Sequence, residues 1–265
     1  MPKKHWRLTR YLFKEQLPYL GWAILIVIAA ETLLPLLLAL LTGRLSTFSW
    51  RSHLSGLGIG FIVGLFIFII HLQTYDNFKL VIQNGISRRT YWLARFYNLL
   101  VMSFIGTIFT LINDFAIAAP AMRIDVFAQL ARGPYEMYTK FFGDNVFMTV
   151  TIYLLFLWLF FITVGAFAMV LSNIMNLFTK TVQRVIAIVV PILAVFALGF
   201  VGSIAVGRQT SAAVIAFTNF LKLLLGYHQT LGLFNPYMPM LTMMVSSSLF
   251  LAIAYYFNRK LQLRN

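Results

Sequence analysis

The sequence predicts an all-α membrane protein with six transmembrane helices, and two features carry that prediction. Of the 265 residues, 60% are apolar and only 11% are charged, against about 25% charged in an ordinary soluble domain. Six apolar stretches also approach or exceed the roughly 20 residues that a helix needs to cross a bilayer. A soluble fold of this size could not bury so much apolar surface, so we expect residues 1–265 to form one membrane domain.

The N-terminal segment is predicted to be a basic amphipathic helix over residues 3–18. On a helical wheel, its basic side chains share one side and most of its apolar side chains share the other. We expect this helix to lie on the inner membrane surface before the chain turns into the first span near Pro18. Its predicted surface contacts are Arg7, Arg10 and Lys14, which serve either membrane anchoring alone or also the docking of a cytoplasmic partner.

The predicted spans follow from the apolar stretches, and they cover residues 20–41, 55–72, 97–119, 146–171, 185–206 and 240–257. A further apolar stretch, Ser211–Leu225, is shorter and contains Asn219 and Lys222, so we interpret it as interfacial or re-entrant. The two long outer connections are residues 120–145 and 207–239. Loops of this length usually have structure or a function of their own.

The distribution of basic residues predicts the orientation. With these spans, 14 of the 21 Lys and Arg residues lie on the side of the N-terminus and 7 on the other. Cytoplasmic segments carry the excess of positive charge, so we expect both termini in the cytoplasm of a multi-pass protein of the bacterial plasma membrane. The net charge of +14 then reflects membrane topology, and we expect the lipid bilayer, and no nucleic acid, as a partner.

Catalytic and metal-binding patterns are missing from the sequence. There is no cysteine, and the four histidines are far apart. Neither an H-E-x-x-H motif nor a Gly-x-Ser-x-Gly elbow occurs. We therefore expect no enzymatic chemistry, no metal and no cofactor in this chain.

The stretch NGISRRTYW, which begins at Asn84, is the most distinctive motif. Asn84-Gly85 is a strong turn pair, and Ser87 is a good N-cap for a helix that begins at Arg88. Topology explains positive charge here, but not why Arg88 and Arg89 occupy a first helical turn, where the dipole disfavours them by a few tenths of a kcal/mol or more. Paired guanidinium groups suit contacts with carboxylates or phosphates.

The longer stretch NGISRRTYWLAR resembles the cytoplasmic signature of ABC-2-type transporter permeases, which commonly carry a Gly-x-Ser-Arg-Arg/Lys-like turn. The basic N-terminal helix, the six spans and an outer segment ending in FNPYMP (Phe234–Pro239) are similar to that family as well. The resemblance implies that two permease halves, identical or related, pair and bind two cytoplasmic ATPase subunits. The turn around Asn84–Arg89 would then couple ATP hydrolysis to transport.

The expected function is therefore that of a permease subunit which exports an amphipathic or hydrophobic substrate. No G-x-x-x-x-G-K-[ST] phosphate loop occurs in the chain, so ATP and Mg²⁺ are expected on the partner ATPase. Two other hypotheses remain open. One is a proton-coupled secondary transporter that uses Glu31 or Asp114, and the other is a non-transporting membrane sensor or immunity protein whose outer loops capture a peptide.

Polar residues inside the predicted spans are the candidate pathway residues. Ser103, Thr107, Thr110 and Asp114 recur at spacings that place them on one face of a helix. They either line a pathway or form hydrogen bonds between helices. Glu31, one turn before Pro35, is either a proton-binding or a structural carboxylate, since an intramembrane charge is costly unless it faces protein or water.

The second predicted span carries a Gly-x-x-x-Gly-x-x-x-Gly ridge. Glycines at this spacing leave one face of a helix without side chains, so that another helix can approach closely. Gly56, Gly60 and Gly64 are therefore predicted to mediate helix packing, within the chain or across a dimer interface.

Overall fold

A computed structural model gives the fold, and it describes residues 4–45, 48–50, 53, 56, 58–72, 75–133, 135–186, 189, 192, 196, 212–228 and 232–261. The described chain is mostly helical, as the sequence predicts. Four helices are long and apolar enough to cross a membrane, and two shorter helices joined at a bend form a fifth candidate. This architecture is compatible with a membrane protein.

Helix α1 runs without interruption from Lys4–Leu41. It differs from the predicted separate interfacial helix over residues 3–18, because the chain does not leave the helix at Pro18. The reason lies in tertiary packing. The buried side chains of α1 recur at helical spacing on both sides of Pro18, and this face packs on the long helix that begins at Arg88. A proline removes one helical hydrogen bond, but the packing on either side of it holds the helix together.

The described part of the predicted second span, residues 55–72, contains one helix, and a second helix follows it. Helix α2 covers Ile59–His71 and helix α3 covers Tyr75–Gln83. At 1.5 Å per residue, α2 is about 20 Å long, which is shorter than the roughly 30 Å hydrocarbon core. The two axes differ in direction by 52°. Because α2 begins at Ile59, Gly56 lies outside the helix that was predicted to carry the glycine ridge.

Helix α4 covers Arg88–Leu111 and continues through a π-helix, Ile112–Ala118, into the short helix α5, Ala119–Met122. Together they form one candidate span of 35 residues. The helix begins nine residues before the predicted third span, residues 97–119. Ser87 sets this start, because its side chain accepts a hydrogen bond from the Thr90 N–H at 3.2 Å.

Two further long helices coincide with predicted spans and extend them. Helix α7 covers Val146–Met175, where residues 146–171 were predicted, and Asn145 caps its first turn. The last helix, α9, covers Tyr237–Lys260, where residues 240–257 were predicted. The predicted fifth span, residues 185–206, lies outside the described residues except at isolated positions.

Both long connections that were predicted to be outer contain secondary structure. Residues 120–145 include helix α6, Val126–Leu130, and a 3-10 turn, Glu136–Tyr138. Residues 207–239 include the short apolar helix α8, Ala212–Leu224, within the stretch interpreted as interfacial or re-entrant. An antiparallel pair of two-residue strands follows, β1 at Tyr227–His228 and β2 at Leu233–Phe234.

The main core lies where α2, α4 and α7 meet, and its closest helix contacts involve glycines outside the predicted ridge. A Cβ atom at Gly106 of α4 would overlap Val63 Cγ1, and one at Gly165 of α7 would overlap Leu99 Cδ1. The predicted ridge is less tight. A Cβ at Gly60 would lie 3.2 Å from Thr110 Cγ2, and one at Gly64 would lie 3.5 Å from Phe161 Cε1. Those two glycines therefore pack within the chain, against α4 and α7.

Candidate functional site

The bundle has two chemically different ends. The N-terminus of α1, the α3–α4 turn and the C-terminus of α9 lie together, as contacts from Thr9 to Ala94 and from Arg88 to Arg259 show. We name this the basic end, because it carries the exposed basic residues Arg7, Arg10, Lys14 and Arg89. The opposite end holds the N-termini of α2 and α7 and the residues after α4, and we name it the cavity end.

The α3–α4 turn is exposed and conformationally defined. Gly85 has a φ of +75°, a left-handed conformation that costs other residues roughly 1–2 kcal/mol. A Cβ there would have no neighbour within 4 Å, so only the backbone conformation requires glycine. Asn84, Gly85 and Ser87 are exposed, as is Arg89. The predicted coupling turn is therefore presented at the surface of the basic end.

Arg88 has a partner that the sequence did not indicate. Its Nη1 donates to the main-chain oxygen of Arg259 at 2.9 Å, in the last turn of α9. In return, Asn258 Nδ2 donates to the main-chain oxygen of Arg88 at 3.0 Å. A cation at the C-terminal end of a helix is stabilised by the helix dipole, so the position that is unfavourable in α4 is favourable for α9. Arg88 thus joins two helices of its own chain.

The basic residues of α1 lie opposite its packed face. Arg7, Arg10 and Lys14 are exposed, whereas Thr9 and Gln16 are buried. Thr9 Oγ1 donates to Ala94 O at 3.4 Å, and Gln16 Oε1 accepts from Asn98 Nδ2 at 2.6 Å. The buried face of α1 therefore packs against α4, and the basic side chains on its opposite face are exposed.

A buried arginine, about two helical turns along α4 from Arg88, takes part in hydrogen bonds that connect four helices. Arg95 of α4 is 3% exposed. Its Nη2 donates to His71 O at the end of α2 at 2.5 Å, and its Nη1 donates to Asn173 Oδ1 of α7 at 3.3 Å. Asn173 Nδ2 in turn donates to Ala254 O of α9 at 2.7 Å. The guanidinium also lies 5.7 Å from the centre of the Tyr91 ring. We name Arg95, His71 and Asn173 the polar cluster.

Sequence reasoning missed this cluster, because it counted Arg95 as one of the cytoplasmic topology charges. The sequence indicates only the position of Arg95 on its own helix. Arg95 follows Arg88 by seven residues, or about two helical turns, and therefore lies on the same face that meets α9. A charged group is buried only when hydrogen bonds replace its contacts with water, and here neutral oxygens from two other helices accept them.

The predicted polar face of α4 divides into two parts. Ser103 and Thr107 are fully buried, and Thr107 Oγ1 donates to Ser103 O within the helix at 2.9 Å. Thr110 likewise donates to the main-chain oxygen of Gly106 at 3.0 Å. Thr110 and Asp114 line a cavity whose described lining does not include Ser103 or Thr107. The described hydrogen bonds of the two threonines are therefore intrahelical, and the half of the face at the cavity end lines this cavity.

The cavity at this end has a volume of about 560 Å³ and lies between α2, α4, α6 and α7. Asp114 enters it from the π-helix, a distortion that is frequent at functional sites. Its Oδ2 accepts a hydrogen bond from the Tyr153 hydroxyl at 2.9 Å, and its Oδ1 accepts one from Asn113 Nδ2 at 3.3 Å. The remaining lining includes Gly56, Gly60, Gln129, Arg132, Phe156, Phe160 and Phe161.

The second predicted carboxylate lies elsewhere. Glu31 is exposed on α1, and the residues that line the cavity do not include it. Its neighbour Thr32 is buried and donates to Ile28 O at 2.6 Å. The structure therefore does not bring Glu31 and Asp114 into one site.

A cluster of tyrosines packs against α7 at the cavity end. The Tyr135 and Tyr138 rings are buried and contact each other and Phe156. Burial raises the pKa of Tyr138 to about 12 and raises the pKa of Tyr135 as well. The Tyr138 hydroxyl remains protonated over a wide pH range and donates to Leu225 O at 3.2 Å. This bond joins the two long connections, residues 120–145 and 207–239.

Comparison of the chain with protein-family models, curated proteins and solved structures finds no match.

Proposed function

We propose that this protein is the membrane-spanning permease subunit of an ATP-driven export system, and that ATPase subunits bind its basic end. The observation that carries the proposal is the exposed turn Asn84–Arg89, whose sequence resembles the coupling turn of ABC-2-type permeases. The same proposal includes six spans, cytoplasmic termini, a paired second permease half and two ATPase subunits. A permease of this kind would lie in the plasma membrane.

The attachment of the turn supports a mechanical role. Its second half is the capped first turn of α4, and Arg88 and Asn258 bind this turn to the end of α9 in both directions. A force on the turn would therefore act on two long helices at once. Arg89 is exposed beside these contacts, so it is the arginine that we assign to the ATPase contact.

The polar cluster extends this connection to the rest of the bundle. Through Arg95 and Asn173, α4 is bonded to α2, and α7 to α9. Coupling between distant sites requires elements that both sites act on, and the cavity lies between α2, α4 and α7. Movement of the turn is thereby proposed to change the shape of the cavity.

The energy source is assigned to another chain. The sequence contains no phosphate loop that could hold the phosphates of ATP. The cavity combines a carboxyl group with several aromatic rings, which supports an amphipathic or hydrophobic substrate.

Charge reversal at the turn tests the proposal. The full chain is purified from native membranes in mild detergent, and ATP hydrolysis and the co-purified proteins are measured. Arg89→Glu should insert normally but lose the ATPase, whereas Lys140→Glu, an exposed cation at the cavity end, should retain it. Retention of the ATPase by Arg89→Glu, or its absence from the wild-type preparation, would contradict the proposal.

One observation favours proton-coupled transport as a second candidate. Asp114 lines the cavity and is bonded to Tyr153, so a titratable group is placed where substrate would bind. Glu31, in contrast, is exposed on α1 outside the cavity. This candidate predicts that the purified chain alone, in liposomes under a pH gradient, transports protons and that Asp114→Asn abolishes the flux.

A further inference from the structure

The cavity at the cavity end presents an unusual set of polar groups. Asp114 has four lone-pair positions, and its two described hydrogen bonds come from neutral donors, Tyr153 and Asn113. Gln129 Oε1 is buried and has no hydrogen-bond partner among the described residues. Both side chains line the same cavity. The lining of the cavity thus includes acceptor groups from two elements, and the Gln129 oxygen, which is covered by protein atoms, has no described partner.

An unsatisfied buried acceptor is costly, by roughly 1–3 kcal/mol, so its presence beside a cavity requires an explanation. When the Gln129 side chain turns its oxygen towards the cavity, a ligand with N–H donors supplies the missing bond. The same cavity is lined by Phe156, Phe160 and Phe161. Aromatic rings can pack against the apolar groups of a ligand, and they attract cations. A volume of about 560 Å³ also lies within the range of small-molecule sites, about 300–1,000 Å³.

From this arrangement we propose that the cavity binds an amphipathic primary amine. The ammonium group donates hydrogen bonds to the Asp114 carboxylate and to Gln129 Oε1, and the apolar body lies against the aromatic rings. A quaternary ammonium fits less well, because it has no N–H to donate to Gln129. This inference goes beyond the proposed function by naming a ligand class, and it concerns binding by this chain alone, with or without an ATPase.

Arg132 allows a test of whether the ligand of the cavity is a cation or an anion. It is exposed and lines the same cavity, and its guanidinium donates to Met122 Sδ, a weak acceptor. For a cationic ligand, Arg132 is a like charge that weakens binding. For an anionic ligand, it would be the main attraction. Removing this charge therefore has opposite consequences for the two ligand classes.

The test measures binding to the full chain in lipid nanodiscs by equilibrium dialysis. The probes are 4-phenylbutylamine, its trimethylammonium analogue and 4-phenylbutyrate. The amine should bind most tightly, and Asp114→Asn should weaken it at least tenfold. Arg132→Gln should leave it unchanged or tighten it. Asp144→Asn removes an exposed carboxylate at the same end that does not line this cavity, and it should have no effect.

Gln129→Leu separates ligand binding from folding. The variant removes an acceptor that has no described partner, so the ligand-free protein should be as heat-stable as the wild type or more so. Amine binding should nevertheless weaken severalfold. Tighter binding of 4-phenylbutyrate than of the amine, with its loss in Arg132→Gln, would overturn the proposal. So would equal effects of Asp114→Asn and Asp144→Asn, or unaltered amine binding in both Asp114→Asn and Gln129→Leu.

Discussion

Arg95 of α4 and Asn173 of α7 are hydrogen-bonded in the interior of the bundle, with Nη1 and Oδ1 3.3 Å apart and both side chains almost fully buried. Asn173 also donates to Ala254 O. The buried cation is therefore held by a neutral amide of α7, and that amide is held in turn by the main chain of α9. This arrangement fixes the relative positions of α4, α7 and α9 close to the exposed turn.

Removing Asn173 should be more harmful than removing Arg95. Asn173→Leu leaves a buried guanidinium with one hydrogen bond fewer, and a hydrogen bond to a charged group contributes about 1.5–3 kcal/mol. Arg95→Met removes the charge itself, which is often tolerated when an apolar side chain fills the space. The apparent Tm in detergent micelles should be lowest for Asn173→Leu and partly recovered in the double variant. Equal and additive losses would contradict this explanation.

The two arginines of the turn should behave differently in amide hydrogen exchange. Arg88→Gln removes the cation bonded to Arg259 O, and such interactions at a helix end contribute about 0.3–1 kcal/mol. We expect exchange at the C-terminal turn of α9 to become roughly two- to fivefold faster, as that free energy implies. Arg89→Gln is the matched control and should leave this turn unchanged. Faster exchange in both variants would show that the contact of Arg88 is not specific.

Glycine substitutions should rank by the side chain that each new methyl group meets. Gly106→Ala collides with Val63, whose branched side chain is stiff, and overpacking of this kind costs about 1–3 kcal/mol. Gly64→Ala should cost much less, because a Cβ there lies 3.5 Å from Phe161 Cε1. Tm measurements give the order. Adding Val63→Ala should restore part of the stability of Gly106→Ala, and no recovery would refute the proposed collision.

Local signals predicted much of the fold. Ser87 caps α4, and the long apolar runs mark α7 and α9 to within a few residues at most ends. These features depend on neighbours in the sequence. Pro18 shows the limit of such rules, because the packing of α1 on α4 keeps the helix continuous. Local propensity is often overridden by tertiary contacts of this kind.

The candidate site residues were harder to predict than the helices, because their partners come together only in the tertiary structure. Asp114 was singled out by its charge in an apolar segment, but the partners that define its cavity, Tyr153 and Gln129, come from distant parts of the chain. The burial of Arg95 was missed for the same reason, since His71 and Asn173 carry no pattern that links them to it. The glycine spacing of α2 was visible, but the closest approaches occur at Gly106 and Gly165, where the facing side chain decides the contact.

Site-specific photo-crosslinking in native membranes tests most directly whether the turn Asn84–Arg89 contacts an ATPase. A photoreactive residue replaces Asn84, which is exposed at the basic end, or Asp144, which is exposed at the cavity end. We predict that position 84 crosslinks to a separate chain that carries a phosphate loop and that position 144 does not. An adduct with such a chain from position 144 alone, or from neither position, would contradict the proposed function.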